Sequence, residues 1–212
     1  MKNIVIIGAG GFGREVAWLI EDINKVKYEW NIMGFVDENK DLKGKLINGY
    51  VVLGDLEWLK EQDIYAVCAI GDPKTKKNII GRLSGSKVKY PILIHPSVIK
   101  SDTNEIEEGS IICAGNILTV NIKIGKHVIV NLDCTIGHDV EIKDYSTVLP
   151  SVNISGCVIT GECVNIGTNS AIIQGVKIGK NTIIGAGSVA IKDLPANCTA
   201  VGVPAIPIKF NE

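Results

Sequence analysis

Two short segments carry residue types in an order that suits chemistry. The first is Asn131-Leu132-Asp133-Cys134-Thr135-Ile136-Gly137-His138-Asp139. An imidazole changes charge near neutral pH, so His138, if exposed, can take the proton of an attacking amine or hydroxyl. The carboxylate of Asp139 can raise its basicity or fix its orientation. Neighbouring residues need not point the same way, so a solvated surface histidine is the plain alternative. The second segment is Gly8-Ala9-Gly10-Gly11-Phe12-Gly13, between an apolar run and a helical pattern. There, glycines allow a tight turn and a helix N-terminus can face phosphates. Asp37, closing the next apolar run, is placed to accept bonds from a ribose. A tight turn without ligand is again the plain alternative.

Other chemistries have less support. The six cysteines, Cys68, Cys113, Cys134, Cys157, Cys163 and Cys198, show neither CxxC spacing nor the density of a secreted disulfide scaffold. They read as mostly buried thiols in a reducing compartment. Cys134 falls in a packing position, and no sequence rule places a histidine to activate Cys113, Cys157 or Cys163, so a covalent mechanism is not expected. The histidines are His95, His127 and His138, in no metal-ligand spacing, and no metal is expected.

Composition sets the outer bounds. In 212 residues, 22 Lys and Arg balance 23 Asp and Glu, which argues against a nucleic-acid partner. No apolar run reaches the roughly 18 residues of a membrane span. The basic-then-apolar start resembles a signal peptide, but Gly8 to Gly13 and charged Arg14 and Glu15 follow at once, and a buried first strand explains it better.

The elements that must hold these residues fall into two halves. Over the first ninety or so residues, strand-like and helix-like patterns alternate, which predicts a small parallel sheet. Strands are expected at Lys2 to Ile7, Ile32 to Val36, Val51 to Leu53, Tyr65 to Ile70 and Val88 to Ile94. Helices are expected from Arg14 to about Asn24, after an Asp55 cap, and from Pro73, capped by Asp72, to about Leu83. The glycine turn then sits where a dinucleotide would bind. However, five strands make only about half a dinucleotide fold, and no domain for hydride transfer follows.

The second half repeats every six residues. Thirteen of the fourteen positions Ile106, Ile112, Leu118, Ile124, Val130, Ile136, Ile142, Val148, Ile154, Thr160, Ile166, Ile172, Ile178 and Ile184 are aliphatic. A second, mostly small or β-branched series sits two residues before each. Gly125, Gly137, Gly161, Gly167, Gly179 and Gly185 directly follow the aliphatic. Hexads in unbroken phase predict a β-helix stabilised by stacked coils. His138 then falls near a corner.

These hexads resemble the left-handed β-helix of the hexapeptide-repeat acyltransferases. The whole chain resembles the bacterial sugar O- and N-acyltransferases, in which a small Rossmann-like domain precedes that helix. The resemblance implies a Rossmann-like acceptor domain over 1–94 and a left-handed β-helix over 95–212. It implies acetyl-CoA as acyl donor, no metal, a homotrimer and a cytoplasmic setting. His138 would be the general base and Asp139 its orienting acid. Asn131, Gly185, Ala186 and Gly187 would line the acyl-donor site. Some members place a second histidine at the position of Thr147, where a hydroxyl can still donate a bond. Lys180, Lys192 or Lys209 would meet CoA phosphates. Gly8, Gly10, Gly11, Phe12, Gly13, Asp37, Gly71, Asp72 and the junction residue His95 would approach the acceptor. Phe12 stands where some sugar-nucleotide enzymes have histidine. The expected activity is N-acetylation of a nucleotide-linked aminosugar, by direct attack on the thioester. O-acetylation of sialic acid or another sugar hydroxyl is the alternative, and a non-catalytic nucleotide-binding scaffold the alternative of another class.

Overall fold

The computed structural model describes residues 1–210. The chain begins with β1 (Lys2–Ile7), α1 (Gly11–Val26) and β2 (Trp30–Val36). A short β3 (Leu46–Ile47) and β4 (Tyr50–Gly54) lead through α2 (Leu56–Lys60) and β5 (Tyr65–Cys68) to α3 (Pro73–Arg82). The sheet runs β3-β4-β2-β1-β5, parallel except for the β3–β4 hairpin. Val16, Ala17, Leu19 and Ile20 of α1 pack on one face with Ile4, Ile6 and Phe35. Leu56, Leu59, Ile79 and Ile80 from α2 and α3 cover Val5, Ile7 and Val36 on the other. The caps are as expected: Asp55 accepts from the Trp58 amide and Asp72 from the Thr75 amide.

This half differs from the sequence expectation in several places: β3 is a strand beyond those expected, β2 begins two residues early at Trp30, and β5 ends at Cys68, two residues short of Ile70. The α1 helix starts at Gly11, three residues early, so two glycines lie in its first turn. The run Val88 to Ile94 is not one strand. Lys89 bridges to Tyr65, while Leu93–Ile94 already pairs with the β-helix strand Ile111–Ile112. Pro91 lies between them; it has no N–H to donate and breaks the ladder.

From Leu93 onward the chain winds as a β-helix. Two-residue strands recur every six residues and pair with strands eighteen residues on, for example Ile117 with Thr135 and Ile129 with Thr147. They form three parallel sheets. The second residue of every strand from Ile106 to Ile184 is the predicted inward position, and all of these except half-buried Ile106 are buried. Thr160, the one polar member, accepts from the Lys143 amide.

Each coil turns at corners with a left-handed residue. Every sixth position from Gly109 to Gly187 has φ between +53° and +77°, and the set includes His127, Asp139, Tyr145 and Cys157. Glycine, asparagine and aspartate, which adopt this conformation readily, fill most of these positions; at His127, Tyr145 and Cys157 it costs about 1–2 kcal/mol, and there the stack imposes it.

The outward row of one sheet docks the first domain. Leu93, Ile111 and Ile129 join the α1-side core and Tyr145 the α3-side core. Each aliphatic buried this way is worth about 2 kcal/mol. Lys76 of α3 is fully buried in the same junction, its ammonium donating to Thr147 Oγ1 at 2.9 Å and to the Ser146 carbonyl at 3.3 Å.

Candidate active site

His138 lies on the corner after strand Thr135–Ile136, and its side chain is half exposed. Its Nδ1 lies 2.8 Å from Asp139 Oδ2. A carboxylate only accepts, so Nδ1 carries a proton; in the neutral ring the lone pair is then on Nε2, open to an incoming proton. Asp139 Oδ1 accepts in turn from Asn121 Nδ2 at 3.2 Å. The bond from His138, and then that from Asn121, hold the Asp139 carboxyl below the usual carboxylate range. It therefore stays ionised and orients the ring.

The coil repeat supplies what reading along the chain cannot. Residues 138 and 156 are one coil apart, and the imidazole lies directly over Gly156. A Cβ built on Gly156 would come within 2.5 Å of His138 Nε2 and Cε1. Cys157 comes alongside too, with Sγ 4.0 Å from Nδ1. Sequence reasoning found no histidine near Cys157; the eighteen-residue pairing is the signal that finds one.

The glycine turn is built by close approach. Gly8 has φ +99°, a region that favours glycine. A Cβ on Gly13 would collide with the Gly8 carbonyl, so the start of α1 can press against the end of β1 only with glycine there. Gly10 and Gly11 are exposed, and Phe12 packs partly into the α1-side core. Asp37 Oδ2 accepts from the Ala9 amide at 2.8 Å, and Oδ1 accepts from the Asn39 amide. The carboxylate thus braces the turn at the mouth of a crevice of about 190 Å³, lined by Gly8, Asp37, Glu38, Ile70, Thr75 and Ile79 among others. It lies at the carboxyl ends of the parallel strands, where such sheets bind ligands.

Other expected site residues lie elsewhere. Asp72 does not share that crevice: its carboxylate caps α3, and the residue lines a pocket against the β-helix with Cys163 and Asn165, while Ile70 takes the crevice wall. Gly71, just before the cap, is half-buried. His95 is held between Asp22 Oδ2 at 3.0 Å and Ser97 Oγ at 2.8 Å, tying α1 to the first coil. Asp22 stands eleven residues along α1 from Gly11, about 16 Å at ~1.5 Å per residue, so His95 is remote from the turn. Thr147 is buried and its hydroxyl is taken by Lys76, so within one chain it does not face an acyl donor.

Asn131 and Gly185, Ala186 and Gly187 share one corner, and His138 occupies the next. Asn131 is buried, its Oδ1 accepting from the Leu132 amide; Ala186 and Gly187 are exposed. Between the two corners runs the sheet whose outward residues include Ile117, Thr135, Asn153, Ala171 and Val189, a face of short and medium side chains in which Thr135 donates to Asn153 Oδ1. Lys192 stands three coils along from His138 on the same corner, Lys180 stands on the third corner, and Lys209 lies in the closing strand Ile206–Phe210.

Residues 3–83 match the family described as the PglD N-terminal domain. The whole chain superposes on WeeI from Acinetobacter baumannii AYE, with 31% identity and a TM-score of 0.88, covering 98% of this chain and 100% of that one. The chain belongs to the hexapeptide-repeat sugar N-acetyltransferase family. A second member with the same two-part architecture is perosamine N-acetyltransferase from Caulobacter crescentus, seen in complex with CoA and GDP-perosamine. It has 29% identity and a TM-score of 0.90, covering 99% of this chain and 98% of that one. Galactoside O-acetyltransferase from Escherichia coli is 35% identical over 109 residues, 42% of this chain and 54% of its own length. The chain thus spans about half the length of that curated relative. The acyltransferase family resemblance read from the hexads is confirmed, and so is the α/β domain followed by a β-helix.

Proposed function

We propose that this protein is an acetyl-CoA-dependent N-acetyltransferase acting on the amine of a nucleotide-linked aminosugar. The observation that carries the reading is the exposed His138 imidazole, with its Nδ1 held by ionised Asp139 and Nε2 left as base. It stands in a chain matched along nearly its whole length by a perosamine N-acetyltransferase structure holding CoA and GDP-perosamine.

The chemistry is short. The acceptor amine attacks the thioester carbonyl and its excess proton passes to His138 Nε2. The carbonyl re-forms as the carbon–sulfur bond breaks, and the imidazolium returns the proton to the departing CoA thiolate. Asp139 stabilises the transient cation without accepting the proton itself. The thioester is already activated, so this route uses no metal.

The nucleotide is assigned to the crevice at Gly8 and Asp37. The pantetheine arm is assigned to the sheet face that leads from Gly185, Ala186 and Gly187 toward His138. These parts lie on different corners of one chain, and a homotrimer that brings neighbouring β-helices together would join them. Acetyl-CoA and a nucleotide sugar as substrates fit a cytoplasmic enzyme.

The test is thiol release from acetyl-CoA against GDP-, UDP- and dTDP-linked aminosugars, free aminosugars and sialic acid. One nucleotide aminosugar should support fast release. His138→Ala should lower turnover by about 10²–10⁴-fold with an unchanged melting curve. Undiminished turnover in that variant would remove His138 as base, and release only with a sugar hydroxyl would overturn the amine acceptor.

A further inference from the structure

The corner that carries His138 holds more than an acid–base pair. His138, Asp139 and Cys157 each offer one ligand atom, and these atoms lie within 4.8 Å of one another. We propose that these three side chains bind a borderline divalent cation of the zinc type, and that its binding blocks transfer. The inference rests on His138 as base for its consequence, not for the site itself.

The donor set suits such an ion. An imidazole nitrogen, a carboxylate oxygen and a thiolate sulfur are the three ligand types zinc takes, with water completing a tetrahedron at an exposed corner. Zinc–ligand lengths of about 2.0–2.3 Å set tetrahedral donors roughly 3.3–3.7 Å apart. The two separations from His138 bracket that span, with Nδ1 2.8 Å from Asp139 Oδ2 and 4.0 Å from Cys157 Sγ, and the third pair lies within 4.8 Å. Small rotations of solvent-open side chains close the difference. The fold keeps the three together, because the Cys157 amide donates to the His138 carbonyl at 2.8 Å as adjacent coils pair. Asn121 Nδ2 holds Asp139 Oδ1, leaving Oδ2 for the cation, an outer contact of the kind that orients metal ligands.

The protons balance simply. Cys157 releases its thiol proton to solvent as the sulfur–metal bond forms. The imidazole proton shifts from Nδ1 to Nε2 as Nδ1 takes the metal. Nε2 is then occupied by hydrogen and has no lone pair for the acceptor's proton.

Cobalt(II) is the probe for the site. The chelator-treated full-length protein should show a near-ultraviolet thiolate-to-cobalt band that Zn²⁺ displaces. Cys157→Ser should abolish the band and weaken binding by at least about tenfold. Ser151 already holds the same left-handed backbone at another corner, so the serine fits. No band, or a band that persists in Cys157→Ser, overturns the site. Transfer is then measured separately. Zn²⁺ should inhibit the wild-type protein, with full recovery on chelation, and Cys157→Ser should need about tenfold more Zn²⁺ for half-inhibition. Should the cobalt band vanish in Cys157→Ser while Zn²⁺ leaves wild-type transfer untouched, the binding site stands. The blocking consequence is then lost, and with it His138 as base.

Discussion

The glycine turn and the His138 corner position their residues by opposite means. In the turn, local covalent demands decide: Gly8 needs its positive φ and Gly13 must lack a Cβ to pass the Gly8 carbonyl. At the corners of the β-helix local demands are overruled. Tyr145, His127, Cys157 and Ser151 all adopt the same left-handed conformation, because hydrogen bonds to the coils above and below fix the backbone. A turn built on glycine is specific and brittle. A corner built on stacking holds side chains as different as those of Tyr145, His127, Cys157 and Ser151, so chemistry can be placed there without altering the fold.

The largest expected effect breaks the brittle region. Gly13→Ala should cost about 3 kcal/mol or more, since its Cβ meets backbone that cannot swing aside. Gly10→Ala, three residues earlier with open space around it, should lie within about 0.5 kcal/mol of wild type. Denaturant unfolding of the two variants measures the contrast. Similar losses in both would mean that the turn is held by something other than close approach.

The middle effect separates geometry from stability at the tolerant corner. In Gly156→Ala the new Cβ meets the His138 ring, which can move because it is solvent-open. Stability should change little, while kcat should fall by about 30–100-fold as the base leaves its position. Kinetics alongside a thermal melt reads both. Equal loss of folding and activity would show that Gly156 serves the coil and not the ring.

The same contrast explains what was legible in the sequence. The hexads were plain because each inward residue repeats its neighbour's surroundings. His138 and Asp139 stood out because two titratable groups adjoin in one segment. Gly156 and Cys157 were hidden one coil away, although adding eighteen to 138 and to 139 finds them. Pro91 signalled the break between Lys89 and Leu93, but the apolar residues around it read as a strand. His95 and Thr147 were carried over from the family, and in this chain both are bound by side chains of the first domain. Lys76 carried no signal at all. Pro73-Lys74-Thr75-Lys76-Lys77 reads as a solvated helix face, and only docking on the β-helix buries one of its lysines.

That lysine gives the smallest effect and the sharpest test of how the two regions are joined. Burial pulls the Lys76 pKa from 10.5 down to about 7. Above pH 7 the folded protein holds Lys76 neutral while the unfolded chain still binds the proton. Stability therefore rises with pH in that window, by up to about 1.4 kcal/mol per pH unit. The upper limit is near pH 9, the ordinary thiol value, because burial pushes the Cys68 thiol to about 12 and its linkage runs the other way. Lys76→Met keeps the apolar stem but leaves the Thr147 hydroxyl without this donor, so the slope, not the absolute stability, is the readout. Urea unfolding of both proteins at pH 7.0, 7.8 and 8.6 should show a steeper rise in wild type than in Lys76→Met. Parallel slopes would mean that Lys76 reaches water and keeps its charge, and that the junction between the two domains opens in solution.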